Sequence, residues 1–111
     1  MPDRVRSLTI RANRLRKALL NNLAARDLIE PIYADMVDDY ITLWTQRALL
    51  DEDIEERGVT VFDEKRGMLV DNISVSRRVQ VSHQMLAIYR DLGFRDQAVK
   101  ARAPDGEDDE L

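Results

Sequence analysis

The chain has 111 residues, of which 44% are apolar and 34% are charged, and its formal net charge is −4. A chain this short forms one small domain and buries only about two thirds of the surface that its unfolded form exposes, which leaves little room for a deep catalytic pocket. It has no cysteine, which excludes a disulfide framework and a thiolate metal site. No stretch approaches the roughly 20 apolar residues that cross a bilayer, so we expect an intracellular protein with no membrane partner.

Charge is segregated along the chain. Residues 1–26 carry a net charge of +6, residues 27–66 carry −8, residues 67–103 carry +3 and residues 104–111 carry −5. Blocks of opposite sign indicate separate surfaces with separate partners, because screening limits each block to its near surroundings at physiological salt. We therefore divide the chain into a basic N-terminal helix (1–26), a helical oligomerisation core (27–103) and a disordered acidic tail (104–111).

The first predicted helix begins near Ser7 and ends near Arg26. Its apolar residues recur at spacings of three or four between Leu8 and Leu23, which gives a narrow apolar stripe. Basic side chains beside this stripe are candidates for contact with DNA phosphates: Arg4, Arg6, Arg11, Arg14, Arg16 and Lys17. Ordinary surface charge is the alternative. The segment lacks a glycine-containing turn between two helices, so it is not a complete helix-turn-helix.

A second helix is predicted from Pro31, which suits a first helical turn, to Gly58, which suits a C-terminal cap. Its apolar residues cover about 180° of the helix circumference, whereas packing on a single neighbour needs only about 100°. Excess apolar surface predicts self-assembly. Arg47 and Asp51 lie within the apolar arc, so either the buried face ends there or the pair lies at a subunit contact and fixes its register.

β-prone pieces at 59–62 and 68–70 flank a polar stretch, which predicts a hairpin or an irregular loop. A third helix is predicted to start at Asn72 or Ser74, both good N-caps, and to stop at Gly93. Its apolar residues also occupy about half of the circumference. The predicted fold is therefore mainly α: an antiparallel helical hairpin with a basic N-terminal helix and a short β-prone loop between the two long helices.

The sequence carries no recognisable catalytic or metal site. Its four glycines are too far apart for a phosphate-binding loop, so we expect no catalytic residues and no cofactor. His83 is the only histidine, and we interpret it as a solvated or boundary residue. The acidic run at 51–56 is interpreted as a solvated helix face, since carboxylates on one helix splay around its axis and do not converge on a metal.

Four sequence stretches follow one another in the middle of the chain, after the tyrosines and tryptophan of the second helix: Asp53-Ile54-Glu55-Glu56-Arg57-Gly58-Val59, Arg66-Gly67, Asp71-Asn72 and Gln84-Met85-Leu86-Ala87-Ile88-Tyr89-Arg90-Asp91-Leu92-Gly93. In this order and spacing, over roughly residues 28–94, they resemble a short phage terminase small subunit. Where the family often has Asn-Pro, this chain has Asn72-Ile73, and the leucine, threonine and proline common after the last Leu-Gly are absent here.

This resemblance implies a non-enzymatic packaging factor in the host cytoplasm. Such proteins form rings of helical hairpins, recognise viral double-stranded DNA and bring it to a large terminase subunit that holds the ATPase and nuclease. For this chain it implies hairpin packing and a ring contact at Tyr33, Tyr40, Trp44, Met85 and Tyr89, to which the Arg47 and Asp51 pair is added as a candidate contact. The alternative is a small helical DNA-binding transcription regulator or antitoxin that acts as a dimer.

Overall fold

The computed structural model describes residues 3–94, which form three α-helices and one β-hairpin. The elements in chain order are α1 (Asp3–Ala25), α2 (Pro31–Arg57), β1 (Thr60–Asp63), β2 (Met68–Asp71) and α3 (Ile73–Asp91). The predicted mainly helical class is confirmed, and of the two alternatives predicted between the long helices, a hairpin or an irregular loop, the structure has a β-hairpin. The predictions for residues 95–103 and for the acidic tail at 104–111 lie outside the described residues.

The helix ends follow the local sequence signals. Pro31 occupies the first turn of α2, where a missing N–H costs no hydrogen bond. Gly58 ends α2 with a φ of 86° and donates its backbone N–H to the Ile54 carbonyl. Asn72 is the N-cap of α3, as predicted, because its side chain accepts a hydrogen bond from the Ser74 N–H. The helix α1 starts four residues before the predicted Ser7, and α3 ends two residues before Gly93.

The apolar stripe of α1 is buried, as its spacing predicts. It meets the start of α2 and the end of α3 in one core cluster. The buried members of this cluster are Leu19, Leu23, Val37, Leu92 and Phe94. This arrangement places the C-terminal end of α1 against the point where α3 ends, so the three helices share one core.

Within residues 3–94, the central helix α2 packs against two helices, α1 and α3. On one side Arg16 of α1 contacts Asp38, and on the other Arg47 donates a hydrogen bond to Ser82 of α3. The prediction of excess apolar surface assumed that α2 has a single neighbour. That assumption was wrong, since α1 also covers part of the apolar arc of about 180°. The width of the arc therefore does not by itself require a second copy.

The β-hairpin connects the end of α2 to the start of α3. Its strands pair antiparallel, with Phe62 opposite Leu69 and Val61 opposite Val70. The Asp63 carboxylate accepts the N–H groups of Lys65 and Arg66, which is the Asx-type turn expected of an aspartate before a tight loop. One face of the hairpin is half-buried at Val61 and Val70, whereas Phe62 and Leu69 are exposed.

Candidate functional surfaces

Two of the basic residues assigned to DNA contact in α1 also hold α1 against α2. The Arg16 guanidinium lies 2.6 Å from the Asp38 carboxylate. The Arg11 guanidinium lies over the Trp44 ring, 5.5 Å from its centroid, in a cation–π contact. At 100° per residue, Arg11 and Arg16 lie on opposite sides of the buried stripe, so each borders one edge of the α1–α2 contact.

Three other basic residues of α1 point away from the core. Arg6, Arg14 and Lys17 are exposed, and no hydrogen bond or ion pair holds any of them to another residue within 3–94. Their helical positions span about 80° of arc and about 16 Å of helix length. We call them the outward cations. The side chain of Arg4, the remaining candidate, lies outside the described residues.

Several residues predicted for the ring contact already have partners inside the chain. Tyr33, Tyr40 and Tyr89 pack against the core cluster, with the Tyr40 and Tyr89 rings 6.1 Å apart. Burial raises the pKa of the Tyr40 hydroxyl above its usual value. Met85 is only 2% exposed, and Trp44 is half-buried.

Arg47 and Asp51 of α2, predicted as a charged pair, contact α3 and form no ion pair with each other. Arg47 donates a hydrogen bond of 3.3 Å to the Ser82 hydroxyl, and Asp51 forms an ion pair with Arg78. Both contacts tie α2 to α3 and so fix the register of the antiparallel helices. A contact between copies stays a prediction for all seven residues proposed for it: Tyr33, Tyr40, Trp44, Arg47, Asp51, Met85 and Tyr89.

Residues from two of the stretches that carry the sequence resemblance form a polar network with Ser74 at the base of the β-hairpin. Asn72 is 1% exposed and uses both ends of its amide. Its N–H₂ group donates to the Gly58 carbonyl at 2.9 Å and to the Asp53 carboxylate at 3.1 Å. Its oxygen accepts from the Ser74 N–H at 3.0 Å and from Arg57 at 3.3 Å. The network thereby joins the end of α2 to the start of α3.

Asp53 is the charged centre of this network. Its carboxylate accepts two hydrogen bonds from Arg57, at 2.6 and 2.8 Å, and one from the Ser74 hydroxyl at 2.7 Å. Hydrogen bonds from Arg57, then from Ser74 and Asn72, hold the pKa of the Asp53 carboxyl well below its usual range. The interpretation of the whole acidic run as a solvated face was therefore wrong for Asp53.

Arg26 is a structural residue that the charge count concealed. Its guanidinium donates to the Leu92 carbonyl at 2.9 Å and lies over the Phe94 ring, 5.2 Å from the centroid. It also donates to the Asn22 side chain at 2.9 Å. Arg26 thus joins the end of α1 to the end of α3. Nothing in the sequence indicates that Arg26 lies beside Leu92, which is 66 residues further along the chain.

The remaining features predicted from the sequence concern metal ions, the histidine and the membrane. Within residues 3–94, no group of three or more histidine, aspartate or glutamate side chains could hold a metal ion. His83 is exposed. None of the helices in this range is long and apolar enough to cross a membrane.

Fold and surface together define a small helical protein in which a basic helix is attached to a helical hairpin. A family model described as phage terminase, small subunit, matches residues 12–108, and the chain belongs to this family. The match extends beyond residues 28–94, to which the resemblance seen in the sequence was limited, and includes most of α1. No curated protein and no solved structure matches the chain. Membership supports a role in phage genome packaging and disfavours the regulator or antitoxin alternative.

Proposed function

We propose that this protein is a non-catalytic DNA-packaging factor that assembles into a ring in the host cytoplasm. It binds viral double-stranded DNA through α1 and presents that DNA to the large terminase subunit, which carries the ATPase and nuclease and whose activity it regulates. Family membership supports the packaging role. The outward cations of α1 support the DNA contact.

The outward cations are well placed for a phosphate backbone. Arg6, Arg14 and Lys17 are exposed and lack intramolecular partners in the described structure, so no internal contact has to break before they meet phosphates. The three cations extend over about 16 Å of helix length. A DNA duplex carries one phosphate charge per roughly 1.7 Å of its axis, so several phosphates lie within that length. Arg11 and Arg16 also carry charge on α1, but DNA contact there competes with Trp44 and Asp38.

The salt dependence of DNA binding tests this proposal. Replacing Arg6, Arg14 and Lys17 by glutamine should flatten the plot of log affinity against log salt by about one unit per lost phosphate contact in each engaged subunit. Lys65→Gln with Arg66→Gln is the control, which removes two cations from the turn of the β-hairpin and should leave the slope close to that of the wild type. A slope unchanged in the α1 variant would remove this surface from the DNA site.

The acidic tail is a second point of contact to test, with two proposed roles. Five acidic residues among 104–111 could dock on a basic surface of the large subunit or shield α1 when DNA is absent. Deleting 104–111 should weaken binding to the large subunit in the first case and strengthen DNA binding in the second. If neither affinity changes, both roles are wrong.

A further inference from the structure

One side of the α2–α3 pair carries very little charge. Two adjacent grooves on this side are lined mainly by apolar, threonine and glutamine side chains, which we call the neutral face: Thr42, Leu43, Gln46, Leu49, Leu50, Gln80, Val81, Gln84, Ala87 and Ile88. Among described residues, only Asp39 and Arg77 add charge to the groove linings. In a chain that is 34% charged, such depletion is typical of the centre of a protein–protein contact.

The helix α1 leaves the neutral face uncovered. Gln46 follows the buried Val37 by nine residues, which places it about 180° away around α2. Val37 belongs to the core cluster that α1 shares, so Gln46 lies on the far side of α2 from α1. Leu49, on the same face, is 48% exposed.

A second apolar surface lies on the other side of the pair, on α3. Val79 and Leu86 are 48% and 45% exposed, and Val75 continues their line toward the β-hairpin. We call these three residues the α3 stripe. By helical position the α3 stripe lies roughly 150° around α3 from Gln84 of the neutral face. The pair of helices thus presents two different apolar surfaces in opposite directions.

At the end where α3 finishes, the charges beside these two surfaces are opposite in sign: Asp39 lines the neutral face, while the exposed Arg90 follows the α3 stripe. At the β-hairpin end, Arg77 lines the neutral face, while Asp51 and Arg78 form an ion pair on the other side. Parallel copies placed side by side would therefore bring Asp39 near Arg90 and Arg77 near the carboxylate of the Asp51–Arg78 pair.

We infer that the neutral face of one copy packs against the α3 stripe of the next copy. Two different surfaces in contact make a head-to-tail interface, and such interfaces close into rings when the rotation between copies permits. The inference rests on the proposed self-assembly and adds the surfaces that carry it. It also gives Asp51 a contact between copies while Tyr40 and Met85 remain in the protomer.

A charge placed on the neutral face tests the inference. Gln84 is exposed and lines both grooves, so Gln84→Arg should raise the concentration for half-assembly at least tenfold while the far-UV spectrum stays unchanged. Asn13→Arg, on the exposed side of α1, is the control with the same gain of charge and should assemble like the wild type. Native mass spectrometry across a dilution series gives the readout. Wild-type mass retained by Gln84→Arg would overturn the inference, whereas a wild type that stays monomeric at all concentrations would overturn the proposed self-assembly as well.

A charge exchange tests how the copies are oriented. Asp39→Arg alone should weaken assembly, and adding Arg90→Asp in the same chain should restore it, because head-to-tail packing brings these two positions together. Restoration by Arg77→Asp would show instead that two copies pair through identical faces about a two-fold axis and would overturn the head-to-tail contact. DNA affinity of each variant should follow its degree of assembly, because the outward cations of several copies act together.

Discussion

Asn72 connects the two long helices more directly than any other side chain in the polar network. We predict that Asn72→Ala destabilises the fold, because four hydrogen bonds are lost from a residue that is 1% exposed. Loss of an N-cap side chain costs about 1 kcal/mol. Leaving a buried polar partner without its hydrogen bond costs a further 1–3 kcal/mol or so. Because these losses share the same atoms and do not add fully, the expected decrease in the free energy of unfolding is about 2–3 kcal/mol.

A second substitution separates the two causes. Asn72→Ser keeps an oxygen that can accept the Ser74 N–H but removes the donors to the Gly58 carbonyl and to Asp53. Serine is a good N-cap, so this variant should recover about 1 kcal/mol relative to Asn72→Ala.

Urea denaturation at one fixed protein concentration measures these differences, since the midpoint of a self-associating protein changes with concentration. Ser76→Ala is the control in the same first turns of α3, because its exposed hydroxyl donates only to the Ile73 carbonyl. The control should change stability by less than about 0.5 kcal/mol. An Asn72→Ala protein as stable as this control would refute the reasoning that the network secures the hairpin base.

Three further outcomes are expected from other contacts. The lowered pKa of Asp53 means that its contribution to stability is complete above the ordinary aspartate pKa of about 3.9 and is lost as pH falls below it, so urea midpoints at pH 6 and pH 3.5 should differ less in Asp53→Asn than in the wild type. Arg11→Gln should cost about 0.5–1 kcal/mol and should increase acrylamide quenching of Trp44 fluorescence, and unchanged quenching would contradict the cation–π contact. Gly93→Ala should cost about 1–2 kcal/mol because of its φ of 80°, and its new methyl group would meet the Arg26 guanidinium at 2.9 Å; thermal unfolding at fixed concentration checks this.

Helix positions and caps could be predicted from the sequence because their causes are local. Pro31, Gly58 and Asn72 act on backbone groups within one turn, and the stripe from Leu8 to Leu23 depends only on helical spacing. The number of neighbours of α2 could not be predicted in the same way. An apolar arc of 180° fits two helices of one chain as well as one helix and a second copy, and only the path of the chain decides between them.

The roles of charged residues were the least predictable, because their partners are distant in the sequence. Arg16 and Asp38 are 22 residues apart, and Asp53 and Asn72 are 19 apart. From the sequence alone, Arg16 was therefore interpreted as a candidate DNA contact and Asp53 as a solvated carboxylate. The family resemblance did mark the stretches that contain Asp53, Arg57 and Asn72, and the structure gives these residues a structural role at the hairpin base.

The outward cations and the proposed contact between copies use different parts of the molecule. The neutral face lies on the far side of α2 from the core shared with α1, so contact through it would leave Arg6, Arg14 and Lys17 exposed. Each added copy would then bring three more cations to the same DNA. In the proposed ring, once one copy is bound, the others would reach DNA at an effective concentration set by the assembly, so a contact too weak to hold a single protomer would suffice. Three outward charges per protomer are few for a DNA-binding protein acting alone but are adequate for one that acts as many linked copies.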